Sequence, residues 1–251
     1  IRFLIIEPAK GEYKNVFGNE SDVHVFGTNN RWSDLLKINP FSFPDDIHIL
    51  EHIDRLIEIF NVCWPMYAAM PAVLKDAVLQ AYKKCGWNLD QSKNIYGKRY
   101  YPTCKDLQKQ IIQVIHSSAY SEEVKGNYIG SLATRIHSLT NGINGQMFVD
   151  NEIDEKILFD DNTIIDLSRV GSQETKSLIM GILVMKLNEY RMTQSNGEMN
   201  QKLKHVTVLE EAHNLLRNTA GKTSLSEAGD MAGKSVEMLS NSIAEMRTYG
   251  E

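Results

Sequence analysis

"HVTVLEEAHNLL", residues 205–216, joins an apolar, β-branched run to two consecutive carboxylates. Val206, Thr207, Val208 and Leu209 have the composition of a strand, and acids that close such a run sit at its C-terminal tip. Open α/β sheets bind ligands outside the C-terminal ends of their strands, so Glu210 and Glu211 mark a functional edge as well as a fold. Similar runs recur along the chain: Ile1 to Ile6 before Glu7-Pro8, Val23 to Phe26 before Gly27, and Thr163-Ile164-Ile165-Asp166. Between the last of these and residue 206, "SLIMGILVMKLNEY" (177–190) is apolar nearly all round, as a buried helix is, and a polar Gly- and Asn-containing loop at 193–202 follows. Strand, helix and strand with short connections predict a parallel α/β sheet.

Between the second and third strand-like runs the period changes. "INPFSF" (38–43) marks a turn, with Pro40 inside it and Pro44 just after. Beyond it Ile53, Leu56, Ile57 and Phe60 lie at i, i+3, i+4 and i+7. Leu107, Ile111 and Ile115, and then Ile129, Leu132, Ile136 and Leu139, likewise keep one helix face. The expected organisation is a core formed by residues 1–42 and 157–251, interrupted by a mostly helical insertion at 43–156.

Composition narrows the function classes. With 251 residues, 42% hydrophobic and 24% charged, the chain has the makeup of a globular protein with a sizeable core. A net charge of −5 gives no support to coating nucleic acid by bulk electrostatics, so any such contact must be argued locally. Cys63, Cys85 and Cys104 are odd in number and widely spaced, which fits neither a disulfide framework nor a zinc site and leads us to expect a reducing, cytoplasmic setting. No run reaches the ~18 apolar residues of a membrane span, and no signal peptide opens the chain. The sequence begins at Ile1 inside a strand-like run, as expected of a piece of a longer parent.

Two stretches approach a phosphate-binding loop, G-x-x-x-x-G-K-[ST], whose spacing lets successive N–H groups converge on one anion. In "EAGDMAGKS" (227–235) the interval from Gly229 to Gly233 is one residue short, and the position the motif needs is Ala228. Gly221-Lys222-Thr223 needs a Gly at 216 and has Leu216. Neither follows an apolar strand, and both are read as polar loop between helices.

The paired acids suit nucleotide hydrolysis. Glu210, beside the strand, is placed to hold Mg²⁺ through the ion's water shell, and Glu211 to orient or deprotonate the attacking water. Chemistry alone leaves open that both merely favour the positive end of a following helix. Asp166, which also ends an apolar strand, is the second candidate metal ligand. His213 and Asn214 are candidates to sense a terminal phosphate or simply to fill a first helical turn. His48 and His52, four apart with Glu51 beside them, resemble a zinc spacing without a third ligand and are read as a solvated helix face. Arg247, at the end of the last helix, is a candidate to reach a neighbouring subunit's nucleotide.

Taken in order, "FLIIEPAKGEYK", "INPF", "EHIDRLIEIFNVCWPMYAAMPAVL", "IIDLSRVGSQETKSLIMGIL", "VLEEAH" and "GKSVEMLSNSIAEMRTYGE" resemble the HerA/FtsK superfamily of hexameric P-loop ATPases, in its HerA-like branch. The resemblance spans nearly the whole chain. It implies a RecA-like core with a helical insertion, use of ATP and Mg²⁺, and an ATP-driven motor that pulls double-stranded DNA through a homohexameric ring, often beside a nuclease. It also implies that the phosphate loop lies upstream of Ile1, so this stretch alone is expected to bind ATP weakly and to be inactive. Two other readings stand beside it: a non-catalytic assembly or binding module, and a protein-secretion ATPase built on the same core.

Overall fold

The computed structural model describes residues 1–28, 30, 31, 33–213 and 227–251, the side chains of 227–235 excepted. In chain order the elements are β1 (Arg2–Glu7), α1 (Tyr13–Phe17), β2 (Val23–Gly27), β3 (Asp34–Leu35), α2 (Ile49–Cys63), α3 (Met70–Lys84), β4 (Trp87–Asn88) and β5 (Lys93–Asn94). Then come α4 (Cys104–Ser117), α5 (Glu122–Tyr128), a π-helical turn (Ile129–Ala133), α6 (Thr134–Leu139), α7 (Asn144–Met147) and α8 (Glu155–Phe159). The chain closes with β6 (Asn162–Asp166), α9 (Gln173–Gln194), β7 (His205–Leu209), α10 (Glu227–Met246) and a 3₁₀ turn (Arg247–Tyr249).

Five strands form one parallel sheet in the order β3-β2-β6-β1-β7. Its central strands are the apolar runs. Leu4, Ile6, Ile164 and Ile165 are wholly buried, as a strand covered on both faces requires. Each such side chain contributes roughly 1.5–3 kcal/mol by leaving water. The helix α9 is buried from Leu178 through Leu187 without a break, in keeping with its all-round apolar sequence. Ser172 caps its start, its hydroxyl accepting from the Thr175 amide at 3.3 Å.

The chain divides into two compact units. The first contains residues 1–36, 58–65 and 153–251 and carries the sheet. The second contains 37–57 and 66–152 and is mostly helical, with β4 and β5 as a short antiparallel pair. Residues 58–63, the last turns of α2, and the two residues after them thus belong to the first unit. Within the second unit the predicted apolar stripes are core: Ile53, Leu56, Leu107, Ile111, Ile115, Leu132 and Ile136 are wholly buried.

Two local expectations are corrected. "EAGDMAGKS" is not a loop: helix α10 begins at Glu227, so from Met231 onward its N–H groups are spent within the helix rather than on an anion. His52 is not on a solvated face. It is wholly buried, its Nε2 lies 3.2 Å from the Pro40 carbonyl, and its ring stacks obliquely on Phe43 at 5.0 Å. The "INPFSF" turn folds those groups over the helix, which period alone does not reveal. His48 remains exposed ahead of α2. The Gly221-Lys222-Thr223 candidate lies outside the described residues.

Candidate functional site

Register alone aligns the site. Gly27 and Glu7 each stand opposite Asp166. Ile6 stands opposite Leu209, and the Glu210 amide donates to the Ile6 carbonyl at 3.1 Å. Gly27, Asp166, Glu7 and Glu210 therefore form one row across the C-terminal edge of the sheet, on strands ~4.8 Å apart.

A tight loop closes over this row. Glu7 is 1% exposed, and its carboxylate accepts from the Glu12 amide at 2.7 Å and the Tyr13 amide at 3.3 Å, satisfying the first N–H groups of α1. Lys10 and Gly11 turn the chain with φ of 66° and 70°. Gly11 is required by more than its φ, since a Cβ there would stand 3.0 Å from Ser168 Oγ and 3.2 Å from Asp166 Oδ2. From α9, Lys176 Nζ donates to the Pro8 carbonyl at 2.6 Å and anchors the loop from the other side.

The turn delivers Tyr13 and Lys14 to the acids. Lys14 Nζ lies 2.5 Å from Asp166 Oδ2, and the Ser168 amide donates to Oδ1 at 2.9 Å. Burial by itself pushes the Asp166 carboxyl up, but the hydrogen bonds from Lys14 and Ser168 and the lysine charge outweigh it and hold the group below the usual carboxylate range. The Glu210 carboxylate, by hydrogen bonding first and by its negative charge second, pushes the Tyr13 phenol up.

After Glu210 the backbone turns out of the strand. Glu211 has φ 52°, a left-handed conformation that costs a non-glycine residue roughly 1 kcal/mol or more and is found where surrounding structure enforces it, often at functional sites. Because of this turn the two acids do not simply alternate across a strand. Glu211 faces solvent, and His213 Nε2 lies 3.3 Å from its Oε2.

The residues suit Mg²⁺ bound with its waters rather than caged. Among the described residues no three His, Cys, Asp or Glu side chains form a metal cluster. The row of carboxylates explains why: Glu7 is spent on α1, and both oxygens of Asp166 are taken by Lys14 and Ser168. Glu210 is left half-buried and reachable. A magnesium ion that keeps most of its waters and takes one or two carboxylates plus phosphate oxygens matches that donor set.

Of the residues singled out from the sequence, Asp166 and Glu210 lie in the same row, with Glu211 and His213 just beyond it. Arg247 is not brought to them. Gly250, three residues on, accepts from the Lys204 and His205 amides, which sets Arg247 near the N-terminal end of β7, on the order of 15 Å along the strand from Glu210. Asn214 lies outside the described residues. Sequence reasoning gave no role to Glu7, Gly11, Tyr13 or Lys14. The available signal was a second acid ending an apolar strand, followed at once by a polar "KGEYK" run.

The three thiols are free. Burial pushes Cys104 up to about 12 and raises Cys63 further, so both are inert neutral groups. Among the described residues no helix is long and apolar enough to cross a membrane.

The fold is similar to the solved structure of VirB4 of Thermoanaerobacter pseudethanolicus, with a TM-score of 0.62 and 17% sequence identity over 99% of this chain and 84% of that one. No family model matches the sequence, and no curated protein matches it. The chain thus has an α/β, RecA-like fold, a parallel sheet flanked by helices.

Proposed function

We propose that the full-length gene product is an ATP-hydrolysing motor of the P-loop class and that this chain supplies its acidic edge. The observation that carries the reading is the Glu210–Glu211 pair at the C-terminal tip of β7, the first acid in register with Glu7 and Asp166 and the second turned out by a left-handed backbone. In this reading Glu210 holds Mg²⁺ through water, and the ion neutralises charge on the phosphates. Glu211 orients and deprotonates the attacking water, with His213 beside it to register the terminal phosphate. Asp166, tied to Lys14, serves as a structural anchor of the edge rather than as a ligand. Arg247 acts across a subunit interface in a homohexamer.

The likeness to VirB4 supports a related ATPase fold without selecting the HerA-like branch. It supports a double-stranded DNA translocase working beside a nuclease and a protein-secretion ATPase equally well. DNA-stimulated turnover separates those two. A non-catalytic assembly module is the reading from another class, and it predicts no turnover at all.

Mutation of the acids in the full-length product tests the proposal. Glu211→Gln keeps the shape and loses the basic oxygen, so hydrolysis should fall by ~10²-fold or more while ATP binding persists. Glu210→Gln should instead raise the Mg²⁺ concentration needed for half-maximal turnover. Turnover of Glu211→Gln within about threefold of wild type would remove Glu211 from the chemistry.

A further inference from the structure

The positive charge that the chain lacks as a whole is concentrated in one stretch of its second unit. Between residues 83 and 105, Lys83, Lys84, Lys93, Lys98, Arg99 and Lys105 stand against Asp90 alone, in a chain of net charge −5. Trp87, Tyr96, Tyr100 and Tyr101 are interleaved with them. The backbone here is pinned: Asn94 Nδ2 donates to the Cys85 carbonyl at 2.9 Å, the Ile95 amide to the Gly86 carbonyl at 2.8 Å, and Trp87 Nε1 to the Tyr100 carbonyl at 2.5 Å. Trp87 and Tyr101 stack with centroids 5.4 Å apart and planes 22° from parallel.

That pair supplies the packing the hairpin needs. Tyr96 and Tyr100 are surplus to it, 67% and 64% exposed. Tyr96 is nonetheless held in place against Gly86, where φ is 89° and an added Cβ would come within 2.5 Å of the ring. Exposed tyrosines on a fixed backbone cost little entropy to engage, since only their own two side-chain torsions remain to be ordered.

Both tyrosines line an open cavity of about 950 Å³ together with Lys84, Lys98 and Arg99. Two acids share the wall, and each is engaged: Asp106 accepts from the Thr103 amide at 3.0 Å and its hydroxyl at 2.7 Å in the cap of α4, and Asp150 accepts from the Asn151 amide at 3.0 Å. Arg99 pairs with Asp45. Lys84 and Lys98 have no carboxylate partner among the described residues. Unpaired ammonium groups beside presented aromatic faces match unpaired nucleotides, whose phosphates take the cations and whose bases stack on the rings. A duplex keeps its base faces stacked inside and offers phosphates and groove edges but no face for a tyrosine to stack on.

We propose that this cavity binds single-stranded nucleic acid, bases on Tyr96 and Tyr100 and phosphates on Lys84 and Lys98. The proposal stands on the second unit and is independent of the ATP-hydrolysis reading. Fluorescence anisotropy with a labelled oligo-dT of ~15 nucleotides and residues 1–251 tests it, each variant being checked for an unchanged circular dichroism spectrum. Wild type should bind the single strand more tightly than a duplex of equal length. Tyr100→Ala should weaken binding by about tenfold and Tyr100→Phe hardly at all, because stacking needs the ring and not the hydroxyl. Lys98→Glu should weaken it comparably and lower the salt dependence by about one phosphate contact. Lys156→Glu, at an exposed position of the first unit, should change nothing. Absence of binding, a duplex bound as tightly, full binding by folded Tyr100→Ala, or competition by poly-glutamate as strong as by the oligonucleotide would each overturn the proposal.

Discussion

Lys14 shows how one residue ties together elements far apart in sequence. Its ammonium sits against Asp166, 152 positions away, with the carboxylate side chain 6% exposed and its own 21%. A pair of this kind stabilises modestly when complete and destabilises when one partner is removed, because the other is left buried and charged. Lys14→Met should therefore lower the unfolding free energy by about 2 kcal/mol, less than for a fully enclosed pair because the lysine keeps some contact with water. Adding Asp166→Asn should recover part of that loss. Urea denaturation of wild type, both single variants and the double variant checks this, and a double variant as unstable as the sum of the singles would show that the two residues act separately.

At the scale of elements, β7, α9 and the end of the chain meet at the Glu251 carboxylate. It takes hydrogen bonds from Thr207 Oγ1 at 2.5 Å and Arg191 Nε at 2.6 Å and lies 2.7 Å from His205 Nδ1. Burial alone pushes this carboxyl up, but the hydrogen bonds from His205 and Thr207 and the charges of His205 and Arg191 hold it below the ordinary glutamate value. A depressed carboxylate contributes stability that is complete above its unfolded pKa of about 4.3 and is lost as pH falls through the folded value. Glu251→Gln should consequently be less stable than wild type near pH ~7, with the difference shrinking as the solution is acidified below about pH 4. Urea midpoints measured at both pH values test it. A constant difference would mean that Glu251 acts through packing rather than charge.

At the scale of the whole molecule, the proposed motor requires copies to combine. Arg247 is exposed and lies at the opposite end of β7 from Glu210, so in the proposed motor it would act on hydrolysis through a neighbouring copy. An arginine acting across an interface is worth roughly 10³-fold or more, whereas one that only balances the dipole of its own helix is worth ~0.3–1 kcal/mol of stability. Arg247→Ala in the full-length product should cut turnover severely with ATP affinity and assembly intact. Mixing it with Glu211→Gln should restore part of the activity, because some interfaces then pair an intact Glu211 with an intact Arg247. Unchanged turnover would leave Arg247 as a surface residue, and a severe loss without rescue would exclude action between copies.

The sequence by itself determined the four longer strands β1, β2, β6 and β7, the buried helix α9, the parallel α/β class and the acids at the tip of β7, because each is written in local period and composition. Apolar runs ending in Asp166 and Glu210 mark the C-terminal edge of a parallel sheet whatever the rest of the chain does. Only the tertiary structure decided how that edge is filled. Strand register brought Glu7 into line with Asp166 and Glu210, and a left-handed turn at Lys10 and Gly11 carried Lys14 across to Asp166. Such contacts join residues about 150 to 200 positions apart, a separation no local pattern encodes. The burial of His52 escaped for the same reason: neighbours supplied by the fold, not the residue's own spacing, set its environment.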